Sequence, residues 1–504
     1  MTITAAAQRD TTTGLSVSFL VTATLIWGVA ALRLFYGTAS GEHDTFMMAA
    51  GIVHGWHSGT VINALTYGPD LQYTFYYALH FAQILGIHDT RGVLLAMNIV
   101  GVLCSLAIPI LLVTLLSRLS MDPVRARFAS LLLMTSPVYL MLVPYGHPFH
   151  FAMTLSLSAW VAAFPPTGEL IGWRFLLGLC LQALALMIRL DQVVLMGIMI
   201  GVLYVLSRNR SRLETAWAVG FMVIPALPLL WVHATVSQGP TGDKVAFLLL
   251  RGFERSRFGW SVAHLFVEVG GALVMVACWI ATGLLAKRQG RVLAAAAVGI
   301  IPTIVVYAGN PSPPRHFYVA AIGLAYLVAS GWSRMSSVVM RIGLAALLVG
   351  NVLAPWVLSL PRKFHGEMRP LVTYNVVERR DRNVAQTAAA RDLYGELIRS
   401  SRGRPVAVFG NWVQVSELCA EFADDSLTGA ARTVLFNGVR PFVLTRSNVT
   451  FYLVEAYTSS TVTATERELR RLAPGVQCFS LVPAAPLLND LGIEVSARVH
   501  EWSS

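Results

Sequence analysis

Charge, and lysine above all, is what this sequence has least of. Charged residues make up 13% of its 504 residues, and Lys244, Lys287 and Lys363 are its only lysines. An ordinary soluble domain carries roughly twice that share of charge. The chain is also 55% hydrophobic, with a mean hydropathy of +0.61, so a water-covered globule is excluded and a polytopic membrane protein is expected. The formal charge of +11 comes almost wholly from arginine. In a membrane chain such an excess serves topology and contact with lipid phosphates, and no nucleic-acid partner is expected. Cysteine is scarce: Cys104, Cys180 and Cys278 lie in apolar runs, Cys419 and Cys478 in a polar tail. None has the paired spacing of a metal site, so neither metal nor cofactor is expected; a Cys419 to Cys478 disulfide is open to a tail outside the cytoplasm. Internal repeats and low-complexity linkers are lacking too.

What the chain does have is apolar runs of membrane-spanning size, near 15-36, 93-116, 128-144, 149-165, 173-188, 193-207, 215-235, 262-286, 292-308, 316-333 and 341-360. A bilayer needs roughly 20 apolar residues per helix, which gives about eleven spans, with the short runs between 128 and 207 leaving one or two open. The first run is too long and too weakly charged at its start for a signal peptide and reads as an uncleaved helix. Basic residues fall in alternate connections: Arg118, Arg125 and Arg127; Arg174; Arg208, Arg210 and Arg212; Lys287, Arg288 and Arg291; Arg334 and Arg341. The intervening short connections, "VPYGHPFH", "RLDQ" and "GNPSPPRH", carry only Arg189 and Arg315. Basic loops stay in the cytoplasm. The N-terminus is therefore expected inside, and the connections 37-92 and 236-261 and the C-terminal tail outside. The composition fits a bacterial inner membrane with a periplasmic active side.

Two domains are expected. Residues 1-360 form an all-α membrane domain, and residues 361-504 a small α/β domain outside the membrane, where "PVAVFG", "NVTFYLVEAY" and "VQCFSLVP" alternate with helix-like segments. The tail shows no phosphate loop and no nucleophile-and-base spacing, which favours a packing or docking module over a second catalytic centre.

The connection 37-92 opens with "GEHDTFMMAAGIVHGWHSGT", Gly41 to Thr60, directly after the first run. Asp44 falls about one turn beyond that helix, where a carboxylate faces water and the bilayer surface together. An amphipathic stretch follows, then a Gly-Pro turn at "YGPDL", Tyr67 to Leu71, and an aromatic-rich helix. Such a loop roofs a cavity at headgroup depth, suited to a lipid-borne substrate.

This pattern, together with the outside C-terminal domain, resembles the GT-C superfamily of integral membrane glycosyltransferases, in particular the branch of protein O-mannosyltransferases and the lipid A aminoarabinose transferase. The resemblance covers residues 15-116 in sequence and 117-360 in topology. It implies a polyprenyl-phosphate-linked sugar as donor, a lipid, polysaccharide or protein acceptor, and Asp44 as base. Glu42 stands as the alternative base if the helix end is offset by a residue or two. Where many members carry an adjacent Asp-Glu pair, this chain has His43 and Asp44.

Chemistry asks for the same residue types. An acceptor hydroxyl must lose its proton as it attacks the anomeric carbon, which an ionised carboxylate accomplishes. The leaving phosphate needs cations. Arg315 in "PSPPRHF" and Arg189 in "MIRLDQ" stand at outer helix ends, against the topological grain. "PPRHFYVAA" also resembles the GT-C segment where a basic residue meets the lipid phosphate, which ranks Arg315 first. The plainer reading is an interfacial arginine, or a pair of Arg189 with Asp191. Lys244 and Arg251, near Arg255 and Arg257, either clamp the phosphate or belong to a surface amphipathic helix.

His54 and His57 invite a metal reading, but Gly55 weakens their helix and no Glu intervenes as in zinc proteases. Hydrogen-bonded interfacial histidines are the expectation. His43, His54, His57, Tyr67, Asp70, His147 and His316 are candidates to line the cavity. Two other classes remain open from sequence: a transporter or lipid flippase, and a non-catalytic component of an envelope assembly.

Overall fold

The computed structural model describes residues 15–35, 86–144, 148–164, 172–207, 211–236, 269–307, 317–331 and 338–357, with Gly146 and short segments between 45 and 83 and between 361 and 495. It divides into two compact units. One comprises Met1–Leu32, Val100–Pro144 and Pro148–Ala354, the other Arg33–Ile99, Tyr145–His147 and Pro355–Ser504.

The helices are α1 (Val17–Phe35), α2 (Thr90–Arg118), α3 (Pro123–Met134), α4 (Pro137–Leu142), α5 (Pro148–Ala163), α6 (Gly172–Ile188), α7 (Leu190–Ser207), α8 (Arg212–Val236), α9 (Gly271–Ala286), α10 (Gly290–Tyr307), α11 (Tyr318–Ser330) and α12 (Val338–Val357). Each apolar run of the sequence carries a helix. By length and composition α2, at 29 residues, meets the requirement for crossing a membrane, and seven shorter apolar helices accompany it among the described residues. Their outward faces are apolar: Leu25, Leu103, Trp173, Leu176, Met275, Ile301 and Ile342 are exposed. A surface of that kind, on helices that satisfy their own backbone, suits lipid and not water. The protein is a helical membrane protein with several passes.

The run at 128-144, expected as one span, is two helices. Pro137 lacks the N–H that would continue the ladder, and Ser136 caps the new start, its hydroxyl accepting from the Tyr139 N–H at 3.4 Å. At the start of α9, Gly270 stands at φ 100°, a backbone that side chains rarely adopt.

Within the first unit α11 is the central element, with every residue from Tyr318 to Ala329 buried except Tyr326. A helix that is apolar all round belongs inside a bundle. Small residues set its distance from α10: a Cβ on Gly323 would lie 3.0 Å from the Ala296 carbonyl oxygen, and one on Gly299 3.0 Å from that of Val319. α2 contains Pro109, which cannot donate to the carbonyl four residues earlier. Tyr139 repairs that vacancy, its hydroxyl donating to the Ser105 carbonyl at 2.9 Å. The Ser130 hydroxyl donates to the Pro109 carbonyl at 3.0 Å, and the Trp27 indole N–H to that of Val102 at 2.9 Å. With no water at that depth, each such bond matters. Tyr139→Phe is expected to cost about 1–2 kcal/mol, read as a lower Tm in detergent; an unchanged Tm would show that Ser105 finds another donor.

The second unit holds the strands. β1 (Pro361–Phe364) and β2 (Glu367–Pro370) pair antiparallel, as do β7 (Leu487–Leu488) and β8 (Glu494–Val495). β3 (Val406–Phe409), β4 (Thr433–Leu435), β5 (Thr450–Val454) and β6 (Cys478–Leu481) form a parallel sheet in the order β4-β3-β5-β6. Parallel neighbours require crossover connections, and the order reverses direction at β3, as doubly wound sheets do. The sequence marks β3, β5 and β6; β4 is too short to stand out. Glu421 binds two arginines of the same unit, Arg91 at 3.1 Å and Arg391 at 3.4 Å. Arg91 lies in the first turn of α2, where the helix dipole disfavours a cation, and the carboxylate offsets that.

Candidate functional site

Most of the site residues expected from sequence lie outside the described residues: Glu42, His43, Asp44, His54, His57, Tyr67, Asp70, His147, Lys244, Arg251, Arg315 and His316. The exception is Arg189. It occupies the break between α6 and α7, its backbone N–H closing α6 onto the Ala185 carbonyl at 3.0 Å. Only 5% of Arg189 is exposed, and it is engaged by its surroundings. A guanidinium is held in such a place by partners that satisfy its charge. The side chain of Asp191, the partner considered from sequence, is outside the described residues.

The first unit brings together residues that the sequence did not single out. His150, in the first turn of α5, and Tyr318, at the start of α11, are both fully buried. Their rings meet edge to face at 5.7 Å between centroids, with Phe149 at 5.1 Å and Tyr139 at 6.2 Å from Tyr318. α5 and α11 thus begin side by side. In the chain they follow directly on the connections "VPYGHPFH" and "GNPSPPRH", which carry His147 and Arg315. His150 faces the Leu142 backbone, while the Tyr318 hydroxyl has no hydrogen-bond partner among the described residues. Buried polar atoms in that state are rare and mark a place where a ligand, water or another side chain belongs. The signal was present: a tyrosine that opens a largely apolar α11 enters the bundle with it, as does a histidine two residues after Pro148.

In the second unit Gly146 fixes the middle of "VPYGHPFH". It is buried, and its N–H donates to the Asn98 side-chain oxygen at 2.6 Å. A Cβ there would collide with backbone atoms of Met97 and Asn98. Only glycine allows so close an approach of two backbones.

No family model and no curated relative matches the chain. Among solved structures it is similar to the crystal structure of ArnT from Cupriavidus metallidurans bound to undecaprenyl phosphate, with 15% identity and a TM-score of 0.44 over 82% of this chain and 76% of that one. The same enzyme in the apo state gives 16% identity and 0.41 over the same shares. The Archaeoglobus fulgidus oligosaccharyltransferase in complex with Zn and sulfate gives 14% identity and 0.44, over 84% of this chain and 62% of that one.

Proposed function

We propose that this protein is an integral membrane glycosyltransferase that moves a sugar from a polyprenyl-phosphate donor to an acceptor hydroxyl at the outer face of the membrane. What carries the reading is the sequence pattern after the first span, with Asp44 nine residues beyond the end of α1 and a roofed loop behind it. The buried Tyr318 supports it, since its unpartnered hydroxyl lies at the very start of the helix that Arg315 precedes.

In this reading Asp44 takes the proton of the acceptor hydroxyl as its oxygen attacks the anomeric carbon, and Glu42 is the neighbouring alternative. The bond from that carbon to the phosphate oxygen breaks, the configuration inverts, and polyprenyl phosphate leaves as an anion. Arg315 meets the phosphate, with Arg189, Lys244 and Arg251 as further cations. A phosphate leaving group needs charge compensation and no proton. The histidines His43, His54, His57, His147 and His316, with Tyr67 and Asp70, line the cavity. The active side is periplasmic, the N-terminus is cytoplasmic, and the domain at 361-504 is extracytoplasmic and docks the acceptor or a partner.

The test is transfer from a panel of labelled polyprenyl-phosphate sugars by the purified protein in lipid, with cell-envelope extract as acceptor. Label is expected to move from one donor to the acceptor fraction. Substrate counterflow in vesicles without any transfer would identify a transporter instead.

A further inference from the structure

At the opposite ends of α5 and α11 from His150 and Tyr318, the first unit contains a cavity of about 760 Å³. It lies among the turn from α2 to α3, the turn from α9 to α10, and the C-terminal ends of α7 and α11. Four cations line it, Arg125, Lys287, Arg288 and Arg291, against one carboxylate, Asp122. That carboxylate is already engaged, accepting from the Arg125 backbone N–H at 3.2 Å to cap α3. None of the four cations forms an ion pair among the described residues. Four positive charges against one negative leave an excess, and like charges gathered in that way repel one another.

Helix dipoles account for only half of this set. Lys287 and Arg288 end α9, where cations are favoured. Arg125 and Arg291 stand in the first turns of α3 and α10, where cations are disfavoured and the free N–H groups attract an anion. The backbone carries a second, independent mark. Both turns are closed by the same pair of bonds: Ser120 N–H to the Ser117 carbonyl and Met121 N–H to that of Leu116, then Arg288 N–H to Leu285 and Gln289 N–H to Leu284. Each places a residue in the left-handed region that glycine occupies at least cost, yet the residues are Ser120 at φ 70° and Arg288 at φ 52°. Both line the cavity. An arginine at a position that suits glycine adds a cation to the cavity at a backbone cost.

We infer that this cavity is a binding site for a phosphate group, separate from the proposed transfer site. Three exposed cations that line it, Lys287, Arg288 and Arg291, supply the charge, and Tyr326 is a further residue of its wall. The remaining wall is mixed, with Ser207, Gln289 and Ser330 beside Leu203, Leu206 and Val292, which suits the polar headgroup of an anionic phospholipid at the membrane surface. A free phosphate compound shares the chemistry, and the test separates the two.

The full chain, purified in detergent, is titrated with dioctanoyl-phosphatidylglycerol, dioctanoyl-phosphatidylcholine and inorganic phosphate, with Tm as readout. Phosphatidylglycerol is expected to raise Tm by several degrees and phosphatidylcholine to have little effect. The rise should shrink with added salt. Arg288→Gly is the decisive variant: it removes a cation while relieving the left-handed backbone, so its Tm without ligand should not fall and its ligand-dependent rise should drop by at least half. Adding Lys287→Gln and Arg291→Gln should abolish the rise. If inorganic phosphate reproduces the wild-type rise and the triple variant loses it, the phosphate site stands and its ligand is soluble. A rise of the same size in wild type and triple variant, or no rise with either phosphate compound, overturns the inference.

Discussion

Asp44→Asn is expected to lower sugar transfer by about 100- to 10,000-fold, the range a positioned general base contributes, while leaving expression and Tm near wild type. An acceptor hydroxyl is a weak nucleophile until its proton has somewhere to go, and an amide cannot take it. The lipid phosphate on the other side of the reacting carbon asks only for cations, so donor binding should survive the substitution and the loss should fall on kcat and not on KM. Glu42→Gln separates the two acidic neighbours: if it alone removes transfer, the base is Glu42. If the two single variants are each as active as wild type, the carboxylate mechanism is wrong.

Gly146→Ala is the second large effect. The added methyl group meets backbone atoms of Met97 and Asn98, which cannot swing aside as a side-chain tip does. Either the turn at Gly146 lifts from α2 or the helix bends, and the bond from Gly146 N–H to Asn98, at 2.6 Å, is lost in both cases. Overpacking of this kind costs about 3 kcal/mol, and the lost bond about 1 more. The expected readout is a lower Tm by several degrees and a poor yield. Asn98→Ala removes the bond without the collision and should cost less than half as much. Since His147 is the next residue, transfer should fall in both. A Gly146→Ala protein as stable as wild type would mean that the turn is held by other contacts.

The membrane helices were legible because their signal is gross. A run of apolar residues has nowhere else to go, and all such runs carry helices. The break inside 128-144 was harder, since Ser136 and Pro137 are the only marks of it and both are tolerated inside spans. The parallel sheet was legible in Val406–Phe409, Thr450–Val454 and Cys478–Leu481, but not in Thr433–Leu435, three residues with no alternation to read. The proposed site rests on chemistry alone: Asp44 and Arg315 carry the groups that such a reaction asks for, and both lie outside the described residues. The burial of His150 and Tyr318 and the glycine contact at Gly146 depend on which helices touch, and periodicity says nothing of that. The cavity among Arg125, Lys287, Arg288 and Arg291 was hidden for the same reason, since in sequence its cations read as ordinary topological charge.

The most direct measurement is the stoichiometry of one reaction: purified wild-type protein in lipid, a labelled polyprenyl-phosphate sugar, and an acceptor fraction, with released polyprenyl phosphate and glycosylated acceptor counted together. The account requires one released lipid phosphate for each sugar transferred, with both signals lost in Asp44→Asn. Donor that crosses the bilayer intact, with no lipid phosphate released under conditions where the protein is folded, would contradict it.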